Sequence, residues 1–159
     1  MKKILMPVLA VLFSLLTTNA QNEPIEISAG HFSKLSFGDD MNVVLKVVEN
    51  ANDFSVSKTA SEKLNFSFSG NALHINPRRA MHDQTVVVLV NKVDALSLGF
   101  GTDVITDGVL RGDRIDVFVS DHSNARLKTT AKVNGHATGG SDVTISSTSK
   151  FVDLSASIR

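Results

Sequence analysis

The stretch LSLGFGTDV at residues 96–104 decides the predicted fold, because both of its parts recur further along the chain. The first part returns as IDVFV, VNGHA and VDLSA at residues 115–119, 133–137 and 152–156. The second part, Thr102-Asp103-Val104, returns as Ser123-Asn124-Ala125 and as Ser141-Asp142-Val143. A repeat of about 19 residues that holds several short strands is typical of one coil of a β-solenoid. The clear repeats at 96–158 therefore predict a parallel β-helix.

Successive coils of such a fold would stack at the inter-strand spacing of about 4.8 Å. Leu98, Val117 and Leu154 would then form an inward ladder, with Gly135 as a gap in it. An antiparallel sandwich is the competing fold. It would explain the alternation of apolar and polar residues, but not the return of the same two blocks in the same order.

The preceding part of the chain also alternates with period two, as in Met41, Val43, Leu45 and Val47. Residues 64–75 carry the turn residues Gly70-Asn71 between two alternating segments, which predicts a β-hairpin. Residues 85–90 are almost entirely β-branched, which predicts a strand that is buried on both faces. The chain is therefore expected to be all-β.

The N-terminus has the three parts of a secretory signal peptide. Lys2 and Lys3 precede an apolar run at 4–16, and small residues before Gln21 supply a cleavage site, so residues 1–20 are the predicted leader. The apolar run is too short to span a bilayer, which takes about 20 residues. We expect export to the periplasm, cell surface or medium, with 21–159 as a single β-solenoid domain and no membrane insertion after cleavage.

The composition argues against several classes of function. The chain has 16 basic and 16 acidic residues without a basic run, which disfavours nucleic acid as a partner. It has no cysteine, Trp or Tyr, and it lacks a nucleophile elbow, a P-loop and an HExxH motif. No catalytic residues are therefore predicted, and we expect a protein that is not an enzyme. A polysaccharide lyase is a distant alternative, with Arg111, Arg114, Arg126 and Lys128 as its basic residues.

The second block places Asp103, Asn124 and Asp142 at equivalent positions of successive repeats. Stacked in register, these residues would form a ladder of oxygen ligands of the kind that Ca²⁺ prefers. The alternative is that Asp and Asn occupy these positions because they suit turns with left-handed backbone. Turn geometry is favoured, with a calcium ladder as the one cofactor hypothesis.

Several segments resemble the DUF2807 family, whose members are described as putative auto-transporter adhesins with a head GIN domain. The resemblance covers residues 31–158 and rests on FSKLSF at 32–37, MNVVL at 41–45, and the GFGTDV and GGSDV repeats at 99–104 and 139–143. It implies a right-handed parallel β-helix with a more sandwich-like N-terminal half, and an exported protein of Bacteroidetes type. The middle repeat departs from the pattern, because Asp121-His122 stands where the family favours a glycine-rich turn.

These observations predict a non-enzymatic exported protein that acts as an adhesin or surface ligand-binding module. Its partner would be a glycan or a host or cell-surface ligand, since the outward positions are rich in Ser, Thr, Asn and Asp. The alternative is a structural or assembly module that self-associates through residues 152–158, which read as an uncapped edge strand.

Overall fold

The computed structural model describes residues 24–26, 32–49, 55–57, 62–79, 81–147 and 152–156. The predicted signal peptide at 1–20 lies outside these residues and stays a prediction. The described residues form fourteen strands: β1 (Pro24–Glu26), β2 (Lys34–Phe37), β3 (Met41–Val47), β4 (Ser55–Ser57), β5 (Leu64–Ser69), β6 (Ala72–Pro77), β7 (Met81–Val90), β8 (Ala95–Leu98), β9 (Asp103–Asp107), β10 (Arg114–Val119), β11 (Asn124–Thr129), β12 (Lys132–Ala137), β13 (Asp142–Ser147) and β14 (Val152–Ala156).

These strands belong to two seven-stranded sheets. Sheet A has the order β1-β4-β7-β3-β9-β11-β13, and sheet B has the order β14-β12-β10-β8-β2-β6-β5. From β8 to β14 the chain passes from one sheet to the other at every turn, so each repeat adds one strand to each sheet. The pairs in this part are parallel, whereas β1, β4 and β5 pair antiparallel.

The prediction of an all-β chain is confirmed, but the prediction of a right-handed parallel β-helix is wrong. The described residues form two mostly parallel sheets, and no closed solenoid is found among them. A repeat of about 19 residues holds two short strands and their turns, and each strand buries only one face. Two stacked sheets satisfy that pattern. The competing sandwich was right about two sheets and wrong about the strand direction in the repeats.

The buried residues of both sheets form one hydrophobic core. Leu35, Val117 and Val133 point into it from sheet B, and Val43 and Leu127 from sheet A. Strand β7 also alternates, with Val86 and Val88 buried and Val87 exposed, so the prediction that residues 85–90 are buried on both faces is wrong. The outer face of sheet A is open to solvent along this strand.

The register of the repeats was predicted correctly for the second block and in part for the first, in which Val117, Gly135 and Leu154 pair across β10, β12 and β14 as predicted. Asp103, Asn124 and Asp142 pair across adjacent strands, as the second block predicted. In the first block, Leu98 pairs with Val119 and not with Val117, so the predicted inward ladder is two residues out of register between β8 and β10. The hairpin at 64–75 is confirmed by the antiparallel pairing of β5 with β6 around Gly70.

The turns from sheet B into sheet A stack on each other. Each contains two residues with positive φ: Asp39-Asp40, Phe100-Gly101, Asp121-His122 and Gly139-Gly140. Backbone hydrogen bonds join neighbouring turns, from Asp40 N to Phe100 O at 2.8 Å, from Gly101 N to Asp121 O at 2.8 Å, and from His122 N to Gly139 O at 3.0 Å. Asp121-His122 therefore adopts the same left-handed geometry as the glycine pair of the next repeat.

The hydroxyl residue of the second block links one repeat to the next beneath these turns. Thr102 and Ser123 are fully buried. The Thr102 backbone N–H donates to Ser123 Oγ at 3.0 Å, and the Ser123 N–H donates to Ser141 Oγ at 3.2 Å. Each hydroxyl thus satisfies a buried backbone donor of its neighbour, which would otherwise cost about 1–3 kcal/mol. This contact explains why the block begins with Thr or Ser.

Candidate ligand-binding face

The predicted ladder residues lie together on the outer face of sheet A. Asp103, Asn124 and Asp142 are the first residues of β9, β11 and β13, and they occupy one row across the sheet. Asn42 of β3 extends the row on the other side of Asp103. The left-handed backbone lies in the turns two residues earlier, so the geometry of a turn does not explain the choice of Asp and Asn at these strand positions.

Hydrogen bonds to neutral donors hold this row in place. Asn124 Nδ2 donates to Asp103 Oδ1 at 2.7 Å, and Thr144 Oγ1 donates to Asp142 Oδ2 at 2.9 Å. Asn124 separates the two carboxylates by two strand spacings, about 10 Å. Within the described ranges, no group of three or more His, Asp or Glu is placed to hold a metal ion. The calcium ladder stays a prediction.

A shallow groove of about 240 Å³ lies over this row and the row below it. The second row is largely apolar, with Val44 and Ile105 on adjacent strands and Ile105 44% exposed. Arg126 continues that row on β11 and lines the groove. The groove therefore presents an amide and carboxylate row along one side, an apolar floor, and a guanidinium at one end.

Arg126 has no ion pair or side-chain hydrogen bond within the part of the chain that the structure describes. Its cross-strand neighbours are Ile105 and Thr144, and Asn124 and Lys128 flank it on the same face of β11. Sequence reasoning considered Arg126 only as a lyase residue. The alternation along β11 could have shown that the outward neighbours of this guanidinium are an amide and a cation.

The four basic residues of the lyase alternative are not brought together. Arg111 pairs with Glu49 at 3.4 Å, and Arg114 pairs with Asp116 on sheet B. Arg126 and Lys128 lie on the outer face of sheet A. Nothing in this distribution resembles a shared proton-abstraction site.

Sheet B carries a second ladder of the same residue types, formed by Asp116, Asn134 and Asp153 in register on β10, β12 and β14. Asn134 Nδ2 donates to Asp116 Oδ1 at 3.1 Å. Arg114 contacts the same oxygen through Nε at 2.8 Å and through a terminal nitrogen at 2.6 Å. The hydrogen bonds from Arg114 and then Asn134 hold the pKa of Asp116 below its usual range.

A second hollow of about 240 Å³ lies beside this ladder and is lined by charged residues that pair with each other. Lys92 Nζ lies 3.0 Å from Asp94 Oδ1, and Arg114 is engaged by Asp116. Burial raises the pKa of Asp94, but hydrogen bonds from Lys92 and Ser33 outweigh it and leave that pKa lowered. The charges of this hollow are largely satisfied by neighbours, in contrast to the groove on sheet A.

A protein-family model described as "putative auto-transporter adhesin, head GIN domain" matches residues 31–158. The chain belongs to the DUF2807 family. The expectation drawn from the sequence segments is therefore confirmed. No curated protein matches the chain.

Several solved structures are similar to this DUF2807 chain. A putative adhesin from Bacteroides fragilis has a TM-score of 0.63 at 13% identity, with coverage of 87% of this chain and 78% of that one. A putative adhesin from Parabacteroides merdae has a TM-score of 0.57 at 14% identity, with coverage of 80% and 57%. A putative lipid binding protein from Parabacteroides distasonis has a TM-score of 0.52 at 15% identity, with coverage of 88% and 63%.

These likenesses show the fold alone, because the identities are low. The DUF2807 chain spans somewhat over half of the length of two of these neighbours and about three quarters of the first. The described residues contain no helix that is long and apolar enough to cross a membrane.

Proposed function

We propose that this DUF2807 protein is an exported, non-enzymatic, adhesin-like module that binds a surface glycan through the outer face of sheet A. The observation that carries the proposal is the groove, which combines the Asn42–Asp103–Asn124 row with the apolar Ile105 and the unpaired Arg126. Sugars present hydroxyl donors and acceptors around weakly apolar ring faces. The polar row can bind the hydroxyl groups, and Ile105 can contact a ring face. The family description and the names of the structural neighbours are consistent with this role.

The geometry favours contact along a surface over enclosure of a small molecule. The groove is shallow, and its polar atoms are spaced at the strand interval of about 4.8 Å. Such a site makes several modest hydrogen bonds, each of which contributes only about 0.5–1.5 kcal/mol. Affinity for a repeated ligand would then come from many copies at a surface, as multivalent binding does.

Two exposed apolar side chains provide a matched test of the binding face. Ile105 lies in the groove on sheet A, and Phe118, which is 50% exposed, lies on the outer face of sheet B. Both side chains are exposed, so a charge at either position should leave the fold intact. We expect Ile105→Glu to abolish glycan binding, because Ile105 lines the groove, and Phe118→Glu to leave it unchanged, because Phe118 lies on the other sheet. The exported form of the full chain, purified from a bacterial host, would be screened on a glycan array.

Three results would contradict the proposal. Loss of binding with Phe118→Glu alone would move the site to sheet B. Binding to phospholipid vesicles without binding to any glycan would make the ligand a lipid. A chain that is folded by circular dichroism and binds no glycan at multivalent density would leave the adhesin role without support.

The alternative is an assembly module, and the sheet edges favour it. Strands β13 and β14 are each the last strand of their sheet, so their outer backbone groups have no strand partner within the described residues. Exposed edges can pair with a second copy. This alternative predicts a stable oligomer by light scattering that becomes monomeric when the last seven residues, 153–159, are deleted. A monomer at all concentrations tested would retire it.

Export itself is part of the proposal and rests on the predicted leader at 1–20. Expression of the full chain in a Gram-negative host should yield a product that begins at Gln21 in the periplasm or medium. N-terminal sequencing of that product tests it, and a chain retained in the cytoplasm with Met1 intact would refute it.

A further inference from the structure

We infer that the groove on sheet A recognises an acidic polysaccharide, with Arg126 binding a carboxylate of the sugar while the Asp103–Asn124 row binds its hydroxyl groups. This inference rests on the glycan-binding function proposed above and names the chemical class of that ligand.

Arg126 differs from the other arginines near it in sequence. Arg111 has Glu49 and Arg114 has Asp116 within ion-pair distance. Arg126 has no carboxylate within 4.0 Å among the described residues, although Asp103 and Asp142 lie diagonally across the neighbouring strands. A guanidinium offers a planar fork of donors that matches a carboxylate, so a free one beside a groove is suited to an anionic ligand group.

Neutral donors orient the carboxylates near Arg126. Asn124 Nδ2 occupies one oxygen of Asp103, and Thr144 Oγ1 occupies one oxygen of Asp142. Each carboxylate keeps acceptor capacity for further donors. The row is therefore suited to bind hydroxyl groups, and Arg126 is suited to bind an anion. A uronic acid sugar carries both on one ring, whereas inorganic sulfate lacks the hydroxyl donors.

A second cation lies on the same strand as Arg126. Lys128 is exposed and projects from the same face of β11 as Arg126, about 7 Å away along the strand. It has no side-chain partner among the residues described. Two cations in line on one strand suit a polymer with repeated carboxylates better than a ligand with one. Such contacts weaken with salt, because the site is open to solvent.

The test compares polygalacturonate with its methyl ester, in which each carboxylate is replaced by an uncharged ester that carries one extra methyl group. Binding of the exported full chain would be measured by biolayer interferometry at low and high salt. We expect polygalacturonate to bind at least tenfold more tightly than the ester, and high salt to reduce this difference. Arg126→Gln should weaken polygalacturonate binding by about tenfold or more, which is the size expected for a charged hydrogen bond. The same variant should leave binding of the ester unchanged.

Two further variants separate geometry from charge. Arg126→Lys keeps the charge but loses the planar fork, so we expect binding between the wild-type and Arg126→Gln values. Arg114→Gln removes a guanidinium of sheet B that already has a partner, so it should leave binding unchanged. Equal loss with Arg114→Gln, or equally strong binding of dextran sulfate, would reduce the effect to net charge and overturn the inference.

The failure of this inference can be told apart from the failure of the proposed function. If both polymers bind equally and Ile105→Glu removes both, the groove is a glycan site without a carboxylate subsite. If neither polymer binds and no glycan on the array binds, the proposed function itself is wrong.

Discussion

The two outer faces carry the same three-residue ladder, yet they use it differently. Asp103–Asn124–Asp142 on sheet A and Asp116–Asn134–Asp153 on sheet B each place an asparagine between two aspartates in register. In both, the central amide donates to the aspartate of the preceding repeat, at 2.7 Å on sheet A and 3.1 Å on sheet B. Only on sheet B does an arginine also engage that aspartate.

The shared part of the two ladders has a structural purpose. Aspartates directly opposite each other on adjacent strands would repel, and an intervening amide both separates them and donates to one of them. The arginine is the part of the two ladders that differs, and it distinguishes the structural ladder from the proposed binding site. Arg114 neutralises the sheet B ladder, whereas Arg126 stands two residues beyond Asn124 and leaves the sheet A ladder open to a ligand.

The largest effects are expected on the inner faces, where the two sheets should behave alike. Ile115 of sheet B and Leu127 of sheet A are both fully buried in the common core. Ile115→Ala and Leu127→Ala should each lower the free energy of unfolding by about 2–5 kcal/mol, because each leaves a cavity. Urea denaturation measures both. A cost below about 1 kcal/mol for one alone would show that the sheets also differ inside.

An intermediate effect is expected from charging the centre of each ladder. Asn124→Asp loses the hydrogen bond to Asp103 and aligns three carboxylates, so it should cost about 1–2 kcal/mol at neutral pH. Asn134→Asp should cost less, because Arg114 already offsets the charge of Asp116. The difference should disappear in acid, where the carboxylates are protonated. Equal losses at neutral pH would remove the distinction between the two ladders.

The same pair of variants tests the calcium prediction. If Asp103, Asn124 and Asp142 bind Ca²⁺, millimolar Ca²⁺ should raise the melting temperature of the wild-type protein, and more so that of Asn124→Asp. Asn134→Asp is the control on the other sheet. An unchanged melting temperature in the wild type would end the hypothesis of a native calcium ladder, even if the variant gained a site.

The smallest effect is expected from the arginines, and it should depend on pH. Arg114→Gln should cost about 0.2–1 kcal/mol at neutral pH, the range of exposed ion pairs. The pKa of Asp116 is lowered in the folded protein, so this contribution is present above the usual Asp range and is lost as the pH falls through the folded value. The stabilities of the wild type and Arg114→Gln should therefore converge as the pH falls below the folded pKa of Asp116.

Arg126→Gln provides the matched control for stability. Since Arg126 has no partner among the described residues, its removal should change the free energy of unfolding by less than about 0.5 kcal/mol at any pH. A loss as large as that of Arg114→Gln would mean that Arg126 supports the fold, and its availability to a ligand would be in doubt.

Sequence reasoning found the ladder of sheet A because Asp103, Asn124 and Asp142 repeat in a fixed pattern. It missed Asn42, because Met41 stands where the other blocks have Thr or Ser, and because the pairing of β3 with β9 joins segments about 60 residues apart. The difference between Arg114 and Arg126 could have been predicted from the sequence. Outward residues alternate, so Arg114 has Asp116 as its neighbour on β10, whereas Arg126 has Asn124 on β11.

The β-helix prediction was wrong because the repeat period alone does not fix how many strands a repeat contains or how its faces are buried. The turn residues carried the missing information. Each of the four pairs with positive φ marks one turn that leads the chain from a strand of sheet B to a strand of sheet A. Aligning LSLGF with IDVFV by residue type also placed β8 two residues out of register with β10. In an alternating strand, apolar residues two positions apart are equivalent by type.

The interleaved strand order has a consequence for the order of folding. Neighbouring strands from β8 to β14 pair residues about 20 positions apart, whereas β2 and β3 must find β8 and β9 across about 60 residues. The longer closure costs about 1 kcal/mol more in chain entropy. We therefore expect the C-terminal strands to assemble first and to serve as a template, onto which β2 and β3 dock. Pulsed hydrogen exchange should show protection of Val117 and Leu127 before that of Val43, and simultaneous protection would refute this order.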